Sequence, residues 1–294
     1  MNINKSSIKN FFESGHINTI HVLTCSVIFS LLIALNYLRS LNYYSLPHWD
    51  EWECMNAVIA FNKSDFNWVS LLDQHNEHRI LFTRIIFLLD FYLFSSTKYF
   101  LNIFNTILSI AVTWVLFSKS KLFDKSIQSK LGLSLVILFL ATHYAQYETL
   151  TWVFESQFLF AFGFGFLAFR TLAFSNDGPF LYLTLTLLAI ASSLSLSNGL
   201  LTAPVIVLGF IFFRPTLKGI TFSILLTIFV IVLYFHILPY TKPGHHPELS
   251  ISPKHWIGLL DYSSRVLFNA TFNKPFFLKY IFFTCSGILY LYAF

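Results

Sequence analysis

Two short polar clusters hold most of the side chains that could do chemistry. The first is His48-Trp49-Asp50-Glu51-Trp52-Glu53 and the second is Gln74-His75-Asn76-Glu77-His78-Arg79. They flank a short helix-like piece, residues 54–61. A carboxylate beside a hydrogen-bonding partner that tunes its affinity for a proton can act as a general base. Asp50 and Glu51 supply the carboxylates; His75, Glu77, His78 and Arg79 supply the partners. A phosphate leaving group needs cationic stabilisation, and Arg84, then Arg79, are the preferred cations for it. His75 and His78 stand three apart and could share one face of a helical turn. With Glu77 or Asp50 they could hold a divalent metal, but no third ligand is fixed, so no metal ligand is assigned. The competing reading makes both clusters solvated loop, with Trp49 and Trp52 in an interfacial aromatic belt.

The elements that must position these clusters are set by composition. Of 294 residues 55% are apolar and 11% charged, and the mean hydropathy is +0.64. A soluble domain carries about 25% charged residues. A chain this apolar could not clothe its surface in water, so the bilayer is its solvent. The expected class is all-α: a polytopic transmembrane bundle in one domain. A net charge of +5 does not point to nucleic acid, because the basic residues flank apolar runs instead of forming a stripe with stacking aromatics. Cys25, Cys54 and Cys285 show no metal-type spacing.

Apolar runs of roughly 20 residues mark the spans. About eight are expected: 18–39, 99–117, 131–146, 158–174, 180–195, 200–213, 220–238 and 276–294. Residues 40–98 form the first outer loop and 239–275 the second. The stretch 80–96 is apolar but short and carries Arg84 and Asp90, so it is read as an amphipathic helix in the outer interface. The lysines 119, 121, 125 and 130 then lie on the cytoplasmic side, as does the N-terminus with Lys5 and Lys9. On this map nine inner basic residues face three inner acids, Glu13, Asp124 and Asp177. The expected location is the bacterial cytoplasmic (inner) membrane, multi-pass. The sequence stops inside an apolar run, so either a last helix ends the protein or the chain is part of a longer one.

Other polar residues fall near outer helix ends: His143, Gln146, Glu148, Glu155, Gln157 and Asn198. They could line a cleft beneath the first loop or bond helix to helix. Lys98, Lys242, Lys254 and Arg265 join Arg79 and Arg84 near the outer surface, where snorkelling is the alternative role. Pro243-Gly244-His245-His246-Pro247 reads as a turn, and 256–267 as a short surface helix.

This layout resembles the GT-C superfamily of membrane glycosyltransferases, which includes protein O-mannosyltransferases and the aminoarabinose transferases of lipid A. Asp50-Glu51 matches that group's acidic pair in the first outer loop. The stretch from His78-Arg79-Ile80 to Leu93-Phe94 is similar to its interfacial helix, and 99–117 with the following lysines to its second span. The resemblance covers roughly the first half of the chain. Residues 74–79, 152–157 and Ser197-Asn198-Gly199-Leu200 also resemble a group of bacterial polytopic membrane proteins, a match that carries no chemistry.

The resemblance implies sugar transfer from a polyprenyl-phosphate carrier at the outer leaflet, with Asp50 as the base and Glu51 its neighbour. His75, Glu77, His78, Arg79 and Arg84 would bind substrate or phosphate. The expected partners are the bilayer and a polyprenyl-phosphate-linked sugar, with no nucleic acid. No cofactor is assigned, though a divalent metal fits the residue types. Members of the group are usually longer, often with a soluble C-terminal domain. A transporter or flippase for a lipid-linked sugar is the second reading; the spans carry few of the midplane charges it would use. A non-catalytic component of a surface-polysaccharide pathway is the third.

Overall fold

A computed structural model of the chain describes residues 46–244, apart from 64–66, 118–126 and 143–145, with scattered helical residues between 23 and 38. The expected span 18–39 is thus described only in part. Span 276–294, most of loop 239–275, Lys119, Lys121, Lys125 and His143 lie outside the described residues.

The structure is mostly helical. After the scattered helical residues between 23 and 38 come α1 (Glu51–Asn62), a 3₁₀ turn (Trp68–Leu72) and a small hairpin, β1 (Gln74–His75) and β2 (His78–Arg79). Helices α2 (Leu81–Phe94), α3 (Tyr99–Phe117), α4 (Ile127–Thr142) and α5 (Tyr147–Thr151) follow. A 3₁₀ turn (Val153–Glu155) leads into α6 (Ser156–Phe174), and then come α7 (Pro179–Ser193), a 3₁₀ turn (Ser197–Leu201), α8 (Thr202–Phe213) and α9 (Leu217–Val232). A π turn, Leu233–Ile237, closes the series. These elements belong to one compact unit, Met1–Lys242.

Three stretches are long and apolar enough to cross a membrane: Tyr99–Phe117, Val153–Phe174 and Leu217–Ile237. Gly132–Thr142, Pro179–Ser193 and Ser197–Phe213 are apolar but shorter. Local chemistry sets several ends. Pro179 occupies the first turn of α7, where its missing N–H costs nothing. The Thr216 side chain accepts from Gly219 N–H to cap α9. The last turn of α2 closes on left-handed Ser95, with Ser96 N–H donating to the Asp90 carbonyl at 3.2 Å.

Unlike a water-soluble bundle, this one leaves large apolar side chains on its outside and buries polar ones among the apolar ones within. On α3 the buried residues are Leu101, Asn102, Asn105 and Ser109, while Ile103, Ile107 and Trp114 face outward. On α7, Ser192 and Ser193 are buried with Leu181, Leu185 and Ala189, while Phe180, Leu183 and Leu187 are exposed. In water each exposed apolar side chain would forgo about 1.5–3 kcal/mol of burial; against lipid tails that term vanishes. Helices are instead joined by close contact and hydroxyl bonds. Ser109 donates to Ala141 O across α3 and α4, and Ser192 to Ala161 O across α7 and α6, both at 2.8 Å. Thr83 and Ser156 hydroxyls meet at 2.9 Å between α2 and α6.

Two apolar clusters result. One joins α6 to α9 through residues such as Leu172, Leu185, Ile206, Phe210 and Val230. The other, Cys54, Val58, Ile80, Ile86, Phe87, Leu101, Val153 and Phe154, lies under the polar segment that precedes the bundle. Successive helices run back and forth, so their connections gather at two ends. At one end Glu51 meets Val153, His78 meets Ser197 and Gln74 meets Thr241; at the other, Arg214 ties turn 214–216 to Ser175.

Candidate functional site

The hairpin places the second polar cluster. Asn76 takes the left-handed conformation at its turn, with φ 49°, which Asn tolerates better than most residues. His75 and His78 are therefore cross-strand partners, not neighbours on a helical turn as their spacing had suggested. Their contacts diverge. Nε2 of His75 lies 3.9 Å from Oδ1 of Asp50 and its ring stands edge-on to Phe154. His78 meets the Ser197 hydroxyl through Nδ1 at 2.8 Å and Glu77 Oε1 through Nε2 at 3.2 Å.

Asp50 and Glu51 are adjacent in sequence but sit in opposite environments. Glu51 is fully buried at the start of α1. Its Oε2 accepts from Lys98 Nζ at 2.6 Å and from His48 N–H at 2.9 Å, and its Oε1 accepts from Val153 N–H at 3.2 Å. Lys98 also donates to the Leu46 carbonyl at 2.9 Å, and its backbone N–H to Asp90 Oδ2 at 3.1 Å. This ion pair pins the start of the polar segment, the α2–α3 connection and the turn before α6 to one another. Asp50, by contrast, has 46% of its side chain exposed, against 12% for His75. Burial pushes the His75 imidazole below its usual pKa, and the Asp50 carboxylate opposes that shift only in part. Burial likewise pushes the Cys54 thiol well up, so it stays protonated.

Both arginines are buried and engaged with backbone. Arg84 donates to the carbonyls of Leu71 at 3.1 Å and Asp73, and its Nη2 stands 3.7 Å from Glu53 Oε1. Arg79 donates to the carbonyls of Leu72, Tyr234 and Pro239, the last at 2.7 Å, and lies over the Tyr234 ring. The π turn explains the Tyr234 contact. Leu238 N–H reaches back five residues to Leu233 O, and that register leaves the Tyr234 carbonyl available. Tyr234 Oη in turn donates to Glu77 O at 2.7 Å. Gln74 completes the tie: its amide accepts from Thr241 N–H at 2.8 Å and donates to Thr241 O at 2.6 Å, as a strand would.

What faces outward is a shallow group around Asp50 and His75. Glu53, Glu77 and Arg84 act on His75 electrostatically, and Glu155 lies within electrostatic range of Asp50 and Glu148. Trp49 and Trp52 are exposed beside Asp50. Every non-glycine residue with positive φ among the described residues, Trp49, Asn76, Ser95, Ser96 and Lys98, falls in this same segment. Such backbone costs about 1–3 kcal/mol per residue and clusters where surroundings over-determine it, often at functional sites.

Among the described residues no group of three His, Cys, Asp or Glu could hold a metal ion. The partners of Glu51, His78 and Gln74 stand 47, 119 and 167 positions away in sequence. No spacing rule reaches them, and Lys98, Ser197 and Thr241 gain their parts in the site only from the fold. Compared with known proteins, the chain matches no family model, no curated protein and no solved structure.

Proposed function

We propose that this chain is an eight-span membrane glycosyltransferase of the bacterial inner membrane. It moves a sugar from a polyprenyl-phosphate carrier to an envelope glycan or lipid at the outer face, with Asp50 as general base. The observation that carries this reading is the half-exposed Asp50 carboxylate set 3.9 Å from a desolvated His75. No hydrogen bond joins the pair at that distance, and His75 Nε2 meets the Asn76 amide nitrogen at 3.3 Å; a bridging water would let the uncharged imidazole orient the carboxylate without neutralising it. The acceptor O–H proton passes to Asp50, the acceptor oxygen bonds to the anomeric carbon, and the bond from that carbon to the phosphate oxygen breaks, the electron pair leaving with the polyprenyl phosphate. Trp49 and Trp52 offer exposed aromatic faces for a sugar ring or for headgroups.

Glu51 has both oxygens bonded, so in this reaction it positions Asp50. Arg79 and Arg84 serve carbonyls and likewise position. The cation for the leaving phosphate is then Lys242, which is exposed one residue beyond the Gln74–Thr241 pair. Helix α2, with Leu89, Tyr92 and Leu93 exposed on one side, lies in the outer interface.

Asp50→Asn should lower transfer by about 10²–10⁴-fold with expression unchanged, measured as accumulation of lipid-linked sugar and loss of the envelope glycan. Full activity in that variant sinks the reading. The sequestration of both arginines favours a second reading, a non-catalytic component of the same pathway. Unaltered envelope glycans in the Asp50→Asn strain, together with altered ones in a deletion strain, would select it.

A further inference from the structure

At the opposite end of the bundle, turns 175–178 and 214–216 border an open cleft of about 340 Å³ lined by Asn176, Asp177, Phe210, Arg214, Pro215 and Thr216, of which Asn176, Asp177, Pro215 and Thr216 are exposed. That is within the range of small-ligand clefts, about 300–1,000 Å³. The two turns are tied together: Arg214 donates through Nη2 to the Ser175 carbonyl. Phe210 is buried at the floor and stacks on Tyr182, with ring centroids 6.2 Å apart and planes 6° apart. Gly219 presses on that same ring. A Cβ there would come within 2.3 Å of it, so the floor is held from both sides.

Opposite charges share this cleft. Asp177 and Arg214 both line it; among the described residues no ion pair joins them, and the Asp177 carboxylate and the Arg214 guanidinium both act on the Tyr182 hydroxyl of α7. Lys218 stands nearby, its Nζ 4.9 Å from the Tyr182 ring centre. A guanidinium presents a planar fork suited to phosphate, and a carboxylate suits an ammonium. One cleft that offers both, without letting them neutralise each other, fits a zwitterion carrying a phosphate and an amine a few bonds apart.

The rim says where such a molecule comes from. Leu217 is 83% exposed and Phe180 77%, and Phe174, Phe212 and Phe213 are exposed as well. These side chains belong to the helix ends that border the two turns. At a bilayer they would sit at acyl-chain depth just beneath the cleft, where a lipid's tails continue from its headgroup.

We infer that this cleft binds the phosphoethanolamine headgroup of a membrane lipid, with Arg214 on the phosphate and Asp177 on the ammonium. The inference is independent of the chemistry proposed for Asp50, since it concerns the other end of the molecule.

The test uses the full chain purified in detergent and exchanged into nanodiscs of phosphatidylethanolamine, phosphatidylcholine or phosphatidylglycerol. Retained lipid is read by native mass spectrometry. The wild-type chain should retain phosphatidylethanolamine at least fivefold over the other two. Asp177→Asn should erase that preference while keeping phospholipid bound, because it removes the negative charge yet keeps an oxygen that can accept from the Tyr182 hydroxyl. Arg214→Gln should lower retention of all three. If it instead unfolds the chain, as a shifted melting curve would report, Asp177→Asn decides alone. Soluble phosphoethanolamine is the competing probe. Failure to displace the lipid at millimolar concentration supports a lipid source; displacement at micromolar concentration would make the ligand a free phosphoamine and overturn the lipid assignment. Equal retention of the three lipids, or a preference unmoved by Asp177→Asn, overturns the site itself.

Discussion

His75 loses affinity for its proton because the fold removes it from water, and that fixes the sign of one response to pH. A histidine whose folded pKa lies below its unfolded value of about 6.5 binds a proton more weakly when folded. Above that pH both states are neutral and the fold keeps its full stability. As pH falls through 6.5 toward the lower folded value, the unfolded chain takes up the proton first and stability declines. Thermal unfolding in micelles should therefore show a loss between pH 7 and pH 5 that His75→Gln reduces. Glu51 and Lys98 make a second prediction at this scale. Both are buried, and removing one charge strands the other, which costs about 3–5 kcal/mol. Glu51→Ala should be destabilised by that order in chemical denaturation. Glu51→Gln combined with Lys98→Met should be much milder than the sum of the two single changes. Additive effects would mean that the pair is not coupled.

Between elements, the hydroxyl bonds and close approaches of the bundle matter more than any single span. Gly199 shows this most plainly. A Cβ placed on it would stand 1.9 Å from the Ser192 carbonyl oxygen, an atom of fixed backbone that cannot yield as a flexible side chain would. Gly199→Ala should then separate the 3₁₀ turn from the end of α7. It would lower stability by about 1–3 kcal/mol, the usual range for overpacking, seen as an earlier melting transition. Gly132→Ala, inside α4 with open space around its Cβ position, is the control and should not destabilise, since Ala favours the helix over Gly. Sequence shows some of these elements and hides others for physical reasons. The apolar runs at 99–117, 158–174 and 220–238 overlap the three longest apolar helices, because hydrocarbon rewards length and apolarity directly. The hairpin at 74–79 gives no such signal. Its strands are two residues each, its side chains are polar, and Asn76 is its only turn residue. The roles of Arg79 and Arg84 were hidden for another reason. Their partners are carbonyls, which every residue carries, so composition cannot distinguish a guanidinium bound for phosphate from one bound for backbone.

For the molecule as a whole, the consequence of alternating helices is a separation of chemistries between two ends. Asp50, His75, His78 and Glu155 gather where the hairpin and the start of α1 meet the turns before α6 and α8. Asn176, Asp177 and Arg214 gather where α6 turns into α7 and α8 into α9. The link between these ends is three apolar stretches of 19, 22 and 21 residues, and a stretch of roughly 20 helical residues matches the hydrocarbon thickness. So many large apolar side chains on the outside suit a surface that meets lipid. On the proposed transmembrane arrangement the two ends would lie in different aqueous compartments. Single cysteines at Ser197 and Thr241 should react with a membrane-impermeant maleimide applied to intact cells, in a chain whose native cysteines are replaced. A cysteine at Asn176 should react only after the membrane is opened. The proposed catalytic end requires more than opposition: it requires that Ser197 and Thr241 be the outward pair. Labelling with the pattern reversed would keep the bundle and move Asp50 to the cytoplasmic face, where an outer-leaflet acceptor could not reach it. Labelling of all three positions from one side would remove the transmembrane arrangement, and with it the lipid-facing surface on which both functional proposals stand.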